Sequence, residues 1–401
     1  MNAIGARHRS PLSEADLAHA SRRNPGIDLM RGLAIVLVVL NHLGLRIPLK
    51  DTVLAEWLPR HVLVALNYNG YEAVFVFFVI SGFLIAGNAL RRWGRLAGID
   101  LRAFYALRFS RIMPLLLMLL VVLGTLHLLG APDYVIHRPG QSLAGALFAA
   151  LALHLNWYEG HLGYLPGNWD VLWSLSIEEA FYVGFPLLCL LTRRALWLSP
   201  LLVVLALSSP WTHATLRGNE IWQEKAYLPG MAAIAAGVLG ALLAARRRAP
   251  PRRTWLLLGT LGSLGLLTIV FDGAALWHLL HDGYLLVLSG CTLCLLLAFH
   301  WRASSGNWRP SRTLDWIRSW GRLSYEIYLT HMFVVFAVVR LFRMAGGDFG
   351  NGWLWYLFAL PACWLLGALV ARFVSVPCER WLRVRMLKAG NTGSPAACLQ
   401  D

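Results

Sequence analysis

The chain has 401 residues, of which 57% are hydrophobic and 14% charged, against about 25% charged in a soluble domain. That balance excludes an ordinary soluble enzyme and predicts an all-α, polytopic transmembrane helical bundle. The formal charge of +15 would suit a nucleic-acid binder, but the basic residues cluster between apolar runs as the positive-inside rule requires, so no nucleic-acid partner is expected.

In chain order, residues 1–26 read as a cytoplasmic tail, 27–376 as a transmembrane domain and 377–401 as a second cytoplasmic tail. Apolar runs predict ten spans, at 27–45, 73–90, 112–129, 176–192, 195–210, 227–245, 255–271, 283–300, 323–342 and 353–376. With both termini inside, 26 Lys and Arg fall on inner segments and 7 on outer ones, and Arg31, Arg340 and Arg372 lie within spans. The first run lacks a small-residue cleavage site and reads as a retained helix, not a signal peptide. The apolar stretch 142–157 is short for a span. As an eleventh span it would put the basic cluster RRRAPPRR, 246–253, outside, so it reads as a short helix or re-entrant piece on the outer side.

The first span carries Arg31 and His42, eleven residues apart. Eleven helical steps make three turns plus about 20°, so both side chains share one face, about 16 Å apart along the axis. Ionisable groups on one intramembrane stripe are costly in lipid and mark a protein interior or watery cavity. A snorkelling Arg and a hydrogen-bonded His are the plainer alternative. Asp28, one turn before Arg31, could pair with it or simply favour the helix start. In the second span Ser81 and Gly82 suit close helix approach.

The first inner loop holds six Arg, and Arg108 and Arg111 share a helical face at the mouth of the third span. Arg forks bind phosphate. Anionic headgroups or topology signalling are the alternative. On the outer side Trp173, Ser174 and Ser176 precede Glu178 and Glu179, which open the fourth span. The two acids diverge by about 100°, so at most one faces a given site. Glu178 could act as acid or base or orient His42, whose depth it is expected to share. Capping by the serines is the alternative. The ninth span opens with Ser324, Tyr328 and His331 on one stripe, suited to interhelical hydrogen bonds or to lining a path. Of six cysteines, the pair in CTLC, 291–294, has redox or metal spacing, but an apolar helix favours packing. No metal site is expected.

Five strings, IDLMRGLAIVLVVLNH, FFVISGFLI, RFSRIMP, WSLSIEEAFY and GRLSYEIYLTH, together resemble the acyltransferase-3 family of integral membrane acyltransferases. The resemblance covers nearly the whole chain. The family's Arg-x10-His motif falls on Arg31 and His42, its Arg-x-x-Arg motif on Arg108 and Arg111, and its WSLSxE motif on Trp173 to Glu178. Ala180 stands where the family often has Gln, and Trp381 where it usually has Pro. The chain ends at Asp401, without the extra hydrolase-like domain of many relatives, so the membrane domain is expected to complete the transfer itself.

The resemblance implies O-acyl transfer, usually of acetyl from acetyl-CoA, with no tightly bound cofactor. Cytosolic acetyl-CoA would meet Arg108, Arg111 and Arg31. His42 would act as general base with Glu178 assisting, an acyl-His intermediate being less favoured. The acceptor would be an envelope glycan or lipid-linked sugar outside a bacterial inner membrane, met by loops 46–72 and 130–175 with Trp157, Tyr158, Tyr164 and Trp169. Membrane lipids are the remaining partners. A proton-coupled transporter or exporter would use the same polar residues, although the chain lacks a convincing internal repeat.

Overall fold

The computed structural model describes residues 23–388 apart from 193–194, 246–249, 307 and 309. Most of both expected tails, part of the 246–253 basic cluster and Cys398 therefore lie outside the described residues.

The principal helices are α1 (Pro25–Gly44), α2 (Gly70–Trp93), α3 (Leu101–Leu128), α4 (Leu172–Thr192), α5 (Ala195–Leu207), α6 (Tyr227–Ala244), α7 (Arg252–Leu280), α8 (Tyr284–Ser304), α9 (Ser324–Met344) and α10 (Leu354–Val370). Among the described residues there is no strand. Eight helical stretches are long and apolar enough to cross a membrane. One of them, Arg252–Ser304, is 53 residues long and contains both α7 and α8, broken where His281 adopts a positive φ of 45°. Nine of the ten expected spans thus have helices of spanning length. The exception is α5. Its 13 residues rise about 20 Å, against a hydrocarbon core of about 30 Å. Continuous hydropathy predicted a run to 210, but Ser208, Ser209 and Pro210 open a separate turn, Ser209–Ala214.

The segment 142–157 forms two short helices, Leu143–Leu151 and Leu155–Leu162, with Leu153 between them at a φ of 60°. This matches the expectation of a non-spanning piece. Beyond α10 the chain passes through a π-helical turn, Ala371–Ser375, directly into the helix Val376–Lys388. The end expected at 376 is therefore a change of winding and not a stop.

Local chemistry explains how α1 is held. Asn24 caps it, its Oδ1 accepting from the backbone of Gly26 at 2.9 Å and of Ile27 at 3.4 Å, with Pro25 opening the helix. The Asn24 amide donates to the Phe299 carbonyl at 3.1 Å, tying α1 to α8. Close approach of backbones fixes the rest. A Cβ on Gly82 would fall on the Ile234 carbonyl, and one on Gly237 on the Val79 carbonyl, so α2 and α6 touch backbone to backbone. Gly32 packs on the Ile317 carbonyl in the same way, and Gly321 on that of Asp28, which seats the short helix Asp315–Arg322 across α1. Cys291 of α8 packs into the space left by Gly265 of α7, which accords with a packing role for CTLC.

Candidate active site

Two polar clusters sit at the two ends of the α1 stripe. At the Arg31 end, the Arg31 guanidinium donates from Nε at 3.1 Å and from Nη2 at 2.7 Å to the Ser324 hydroxyl, the first residue of α9. The charges that act on Arg31 are those of Arg111, Asp28, Arg23 and Glu178. Arg108 lies with its guanidinium carbon 4.7 Å from the Tyr182 ring centroid, and the Tyr182 hydroxyl bonds Ser81. Ser81 also lies against the Glu178 carboxyl, whose charged neighbours are Arg108, Arg31 and Arg111. Arg31, Arg108, Arg111 and Glu178 are each half-buried. Among the described residues none of them forms an ion pair within 4 Å. Three guanidinium forks therefore converge with donors to spare, the arrangement that binds phosphate oxygens.

At the other end, the half-buried His42 ring lies 5.1 Å, centroid to centroid, from that of His331 on α9. His331 is fully buried. Its Nδ1 bonds the carbonyls of Tyr328 at 2.8 Å and Ile327 at 3.2 Å. Carbonyls only accept, so Nδ1 carries the proton and Nε2 is an acceptor. That Nε2 is buried and has no hydrogen-bond partner. The Tyr328 hydroxyl bonds Ser174 Oγ at 2.7 Å and donates to the Val171 carbonyl at 3.0 Å, joining α9 to α4.

This geometry corrects three expectations. Glu178 belongs to the arginine cluster and not to His42, whose charged neighbours are His331, Arg46 and Lys225. The cause is the start of α4, which begins at Leu172 behind a turn at Gly167–Asp170, so Glu178 lies deeper than a span starting at 176 implies. Asp28 does not pair with Arg31 within 4 Å, because that guanidinium turns to Ser324 instead. Ser174 and Ser176 are not caps, since both lie inside α4. Ser176 bonds the Leu172 carbonyl of its own helix at 3.3 Å. Trp173 packs against Tyr71 and Phe78, and Glu179 is buried with Oε1 lacking a partner.

A family profile described as an acyltransferase domain, acyltransferase 3, matches residues 24–374, which contain both clusters. The chain belongs to the acyltransferase-3 family. Among relatives, this acyltransferase-3 chain is 30% identical over 171 residues to a putative O-acetyltransferase of Staphylococcus aureus strain MSSA476, covering 42% of the chain and 25% of the relative. It is also 30% identical over 180 residues to the O-acetyltransferase OatA of S. aureus strain NCTC 8325, with the same coverage of each. The chain thus spans about a quarter of the length of these relatives. No solved structure matches it.

Two cations near His42 escaped the sequence reading. Arg46 donates from Nη1 to the His42 carbonyl at 2.8 Å and lies over the Phe336 ring at 4.8 Å. Lys225 is buried, paired with Glu159 at 2.9 Å and with Asp170. Both come from segments expected to be connecting loops, where a basic residue is ordinarily solvated. Only the eleven-residue interval on α1 carried a signal, since Arg46 follows His42 by one further turn. Of the aromatics expected to face an acceptor, Trp169 is fully buried. Among the described residues no cluster of three His, Cys, Asp or Glu could hold a metal ion.

Proposed function

We propose that the protein moves an acetyl group from cytosolic acetyl-CoA to a hydroxyl of an envelope glycan or lipid-linked sugar on the outer side of a bacterial inner membrane, with both termini inside. The observation that carries this reading is α1 itself. Arg31 near one end of its polar stripe meets Arg108 and Arg111 of α3 around Glu178, and the His42 imidazole stands about 16 Å further along the same helix.

Arg31, Arg108 and Arg111 take the phosphates of the donor, which places its pantetheine arm along the stripe and its thioester beside His42. Glu178 and Ser324 hold the guanidinium groups in position. His42 removes the proton of the acceptor hydroxyl, and the oxygen attacks the thioester carbonyl. The carbon–sulfur bond breaks, and the CoA thiolate leaves with the proton that His42 gave up. A positioned base contributes about 10²–10⁴-fold to such a step.

His331 is a positioning residue in this scheme. Its Nε2, unpartnered in the structure, offers an acceptor to the one N–H of a neutral His42, which would leave the other His42 nitrogen to present a lone pair to the acceptor. Family membership supports transfer chemistry, and no observation favours the transporter alternative.

The test uses the purified chain, radiolabelled acetyl-CoA and a panel of hexosamine-containing oligosaccharides. Label appearing on sugar hydroxyls, and lost with His42→Ala, is the expected result. Label on no glycan, together with no acetyl-CoA turnover, sinks the reading.

A further inference from the structure

Resting on that acetyl-transfer reading, we propose that the cavity beyond His42, walled by Asp133, Arg138, Gln141, Tyr164, Gly167 and Phe336, is the acceptor subsite. It takes one or two sugar rings without net charge. The cavity measures about 260 Å³, just below the range of about 300–1,000 Å³ typical of small-molecule sites. It therefore suits a short piece of a glycan and not a long segment.

Its chemistry matches a pyranose, which has apolar C–H faces and a rim of hydroxyls. Tyr164 and Phe336 supply flat apolar walls, Asp133 accepts from hydroxyls and Arg138 donates to them. Gln141 adds an acceptor already in place. Its Nε2 is committed to the Gly163 carbonyl at 2.7 Å, while its Oε1 is buried without a partner. The lining holds one acid and one arginine, so a phosphate-bearing headgroup would find a carboxylate beside its only fork.

The cavity adjoins the reacting end of α1. A Cβ on Gly167 would lie 3.4 Å from Arg46 Nη2 and 3.2 Å from the tip of Phe336. Arg46 in turn stacks on Phe336 and bonds the His42 carbonyl at 2.8 Å. A single guanidinium, that of Arg46, lies between the cavity wall at Gly167 and the backbone of the proposed base.

The experiment places the photo-crosslinking residue p-benzoylphenylalanine at Tyr164 in the full chain. The same residue at Trp57, which is 82% exposed, is the control. Cells are fed radiolabelled glucosamine, with radiolabelled glycerol in a parallel arm to mark phospholipid. Illumination is expected to fix at least tenfold more hexosamine label at position 164 than at 57. Adding Asp133→Asn or Arg138→Gln is expected to cut that capture at least threefold. The exposed His137, also in the lining, is the second crosslinker site and takes over the same comparison if the Tyr164 variant does not accumulate. Equal label at cavity and control, capture of glycerol-labelled lipid alone, or capture indifferent to Asp133 and Arg138 would overturn the proposal. Capture needs no donor, so failure of acetyl-CoA turnover strikes the transfer reading and leaves this result standing.

Discussion

An imidazole that is to act as a base must keep one nitrogen bare, and its neighbours decide which one. No carboxylate is among the charged groups acting on His42; the nearby ones are a second imidazole and two cations. His42→Ala is expected to lower transfer at least 10³-fold at unchanged membrane levels. His331→Ala should lower kcat about 10²-fold, leave donor KM within threefold and displace the pH profile. His331→Gln, whose amide oxygen can accept in place of Nε2, should recover part of the loss. Steady-state kinetics with labelled donor read all three, and an unmoved pH profile in His331→Ala would return that residue to packing. The acids divide differently. Glu178→Gln should raise donor KM about tenfold with kcat within threefold, because it faces the arginines, while Glu179→Gln should change donor KM less than threefold. CoA binding to purified protein checks this, and the Arg108→Ala, Arg111→Ala double variant should lose still more affinity. The stripe was legible in the sequence because eleven residues fix an angle within one helix. The depth of Glu178 and the meeting of His42 with His331 were not, since each depends on how separate helices slide past one another, for which a hydropathy pattern has no coordinate.

At the scale of elements, glycine contacts set that slide. Gly82→Val would drive a side chain into the Ile234 backbone, which has no rotamer with which to yield. Overpacking costs about 1–3 kcal/mol when side chains can adjust. Here the loss is expected to exceed that range, seen as a fall of more than 10 °C in the thermal midpoint of detergent-purified protein. Gly87→Ala on the same helix, with only the Arg91 tip at 3.6 Å, should leave the midpoint within 2 °C. The short helices Leu155–Leu162, Gly167–Asp170 and Glu220–Lys225 are locked by Lys225 between two carboxyls. Lys225→Met strands those acids and should cost about 3–5 kcal/mol. Burial, and then Asp170, push the Glu159 carboxyl well above its ordinary range, with Lys225 opposing. A raised acid contributes stability that is complete below the unfolded value and is lost as pH climbs through the folded one. The thermal midpoint should therefore fall as pH rises above the ordinary carboxylate range, and Glu159→Gln should flatten that fall. This lock could not be read from sequence, since its members come from three separate segments outside the long apolar runs. The ends of α5, by contrast, were available in Ser208–Pro210, where a turn signal was overridden by hydropathy.

For the molecule as a whole, charge asymmetry supports the proposal that both termini lie inside. A fluorescent protein fused after Asp401 should fold and glow, while alkaline phosphatase fused there should be inactive. A cysteine replacing Arg138 should react with an impermeant maleimide from outside in intact cells, and the reverse pattern would invert the assignment of both clusters. The unbroken run of α1 from Pro25 to Gly44 then bears on selectivity. In every acyl-CoA the run of atoms from the phosphates to the thioester is the same, and acyl groups differ only beyond the sulfur. On the proposed donor path, a helix that fixes the distance from Arg31 to His42 would measure the handle and be indifferent to the cargo. Discrimination between acetyl and longer chains would then fall to the side chains around the thioester, where Tyr328 packs beside His331 and meets Phe77 edge to face. Phe77→Ala, which removes one of those side chains without touching an arginine, is expected to broaden the donors accepted without altering the grip on CoA.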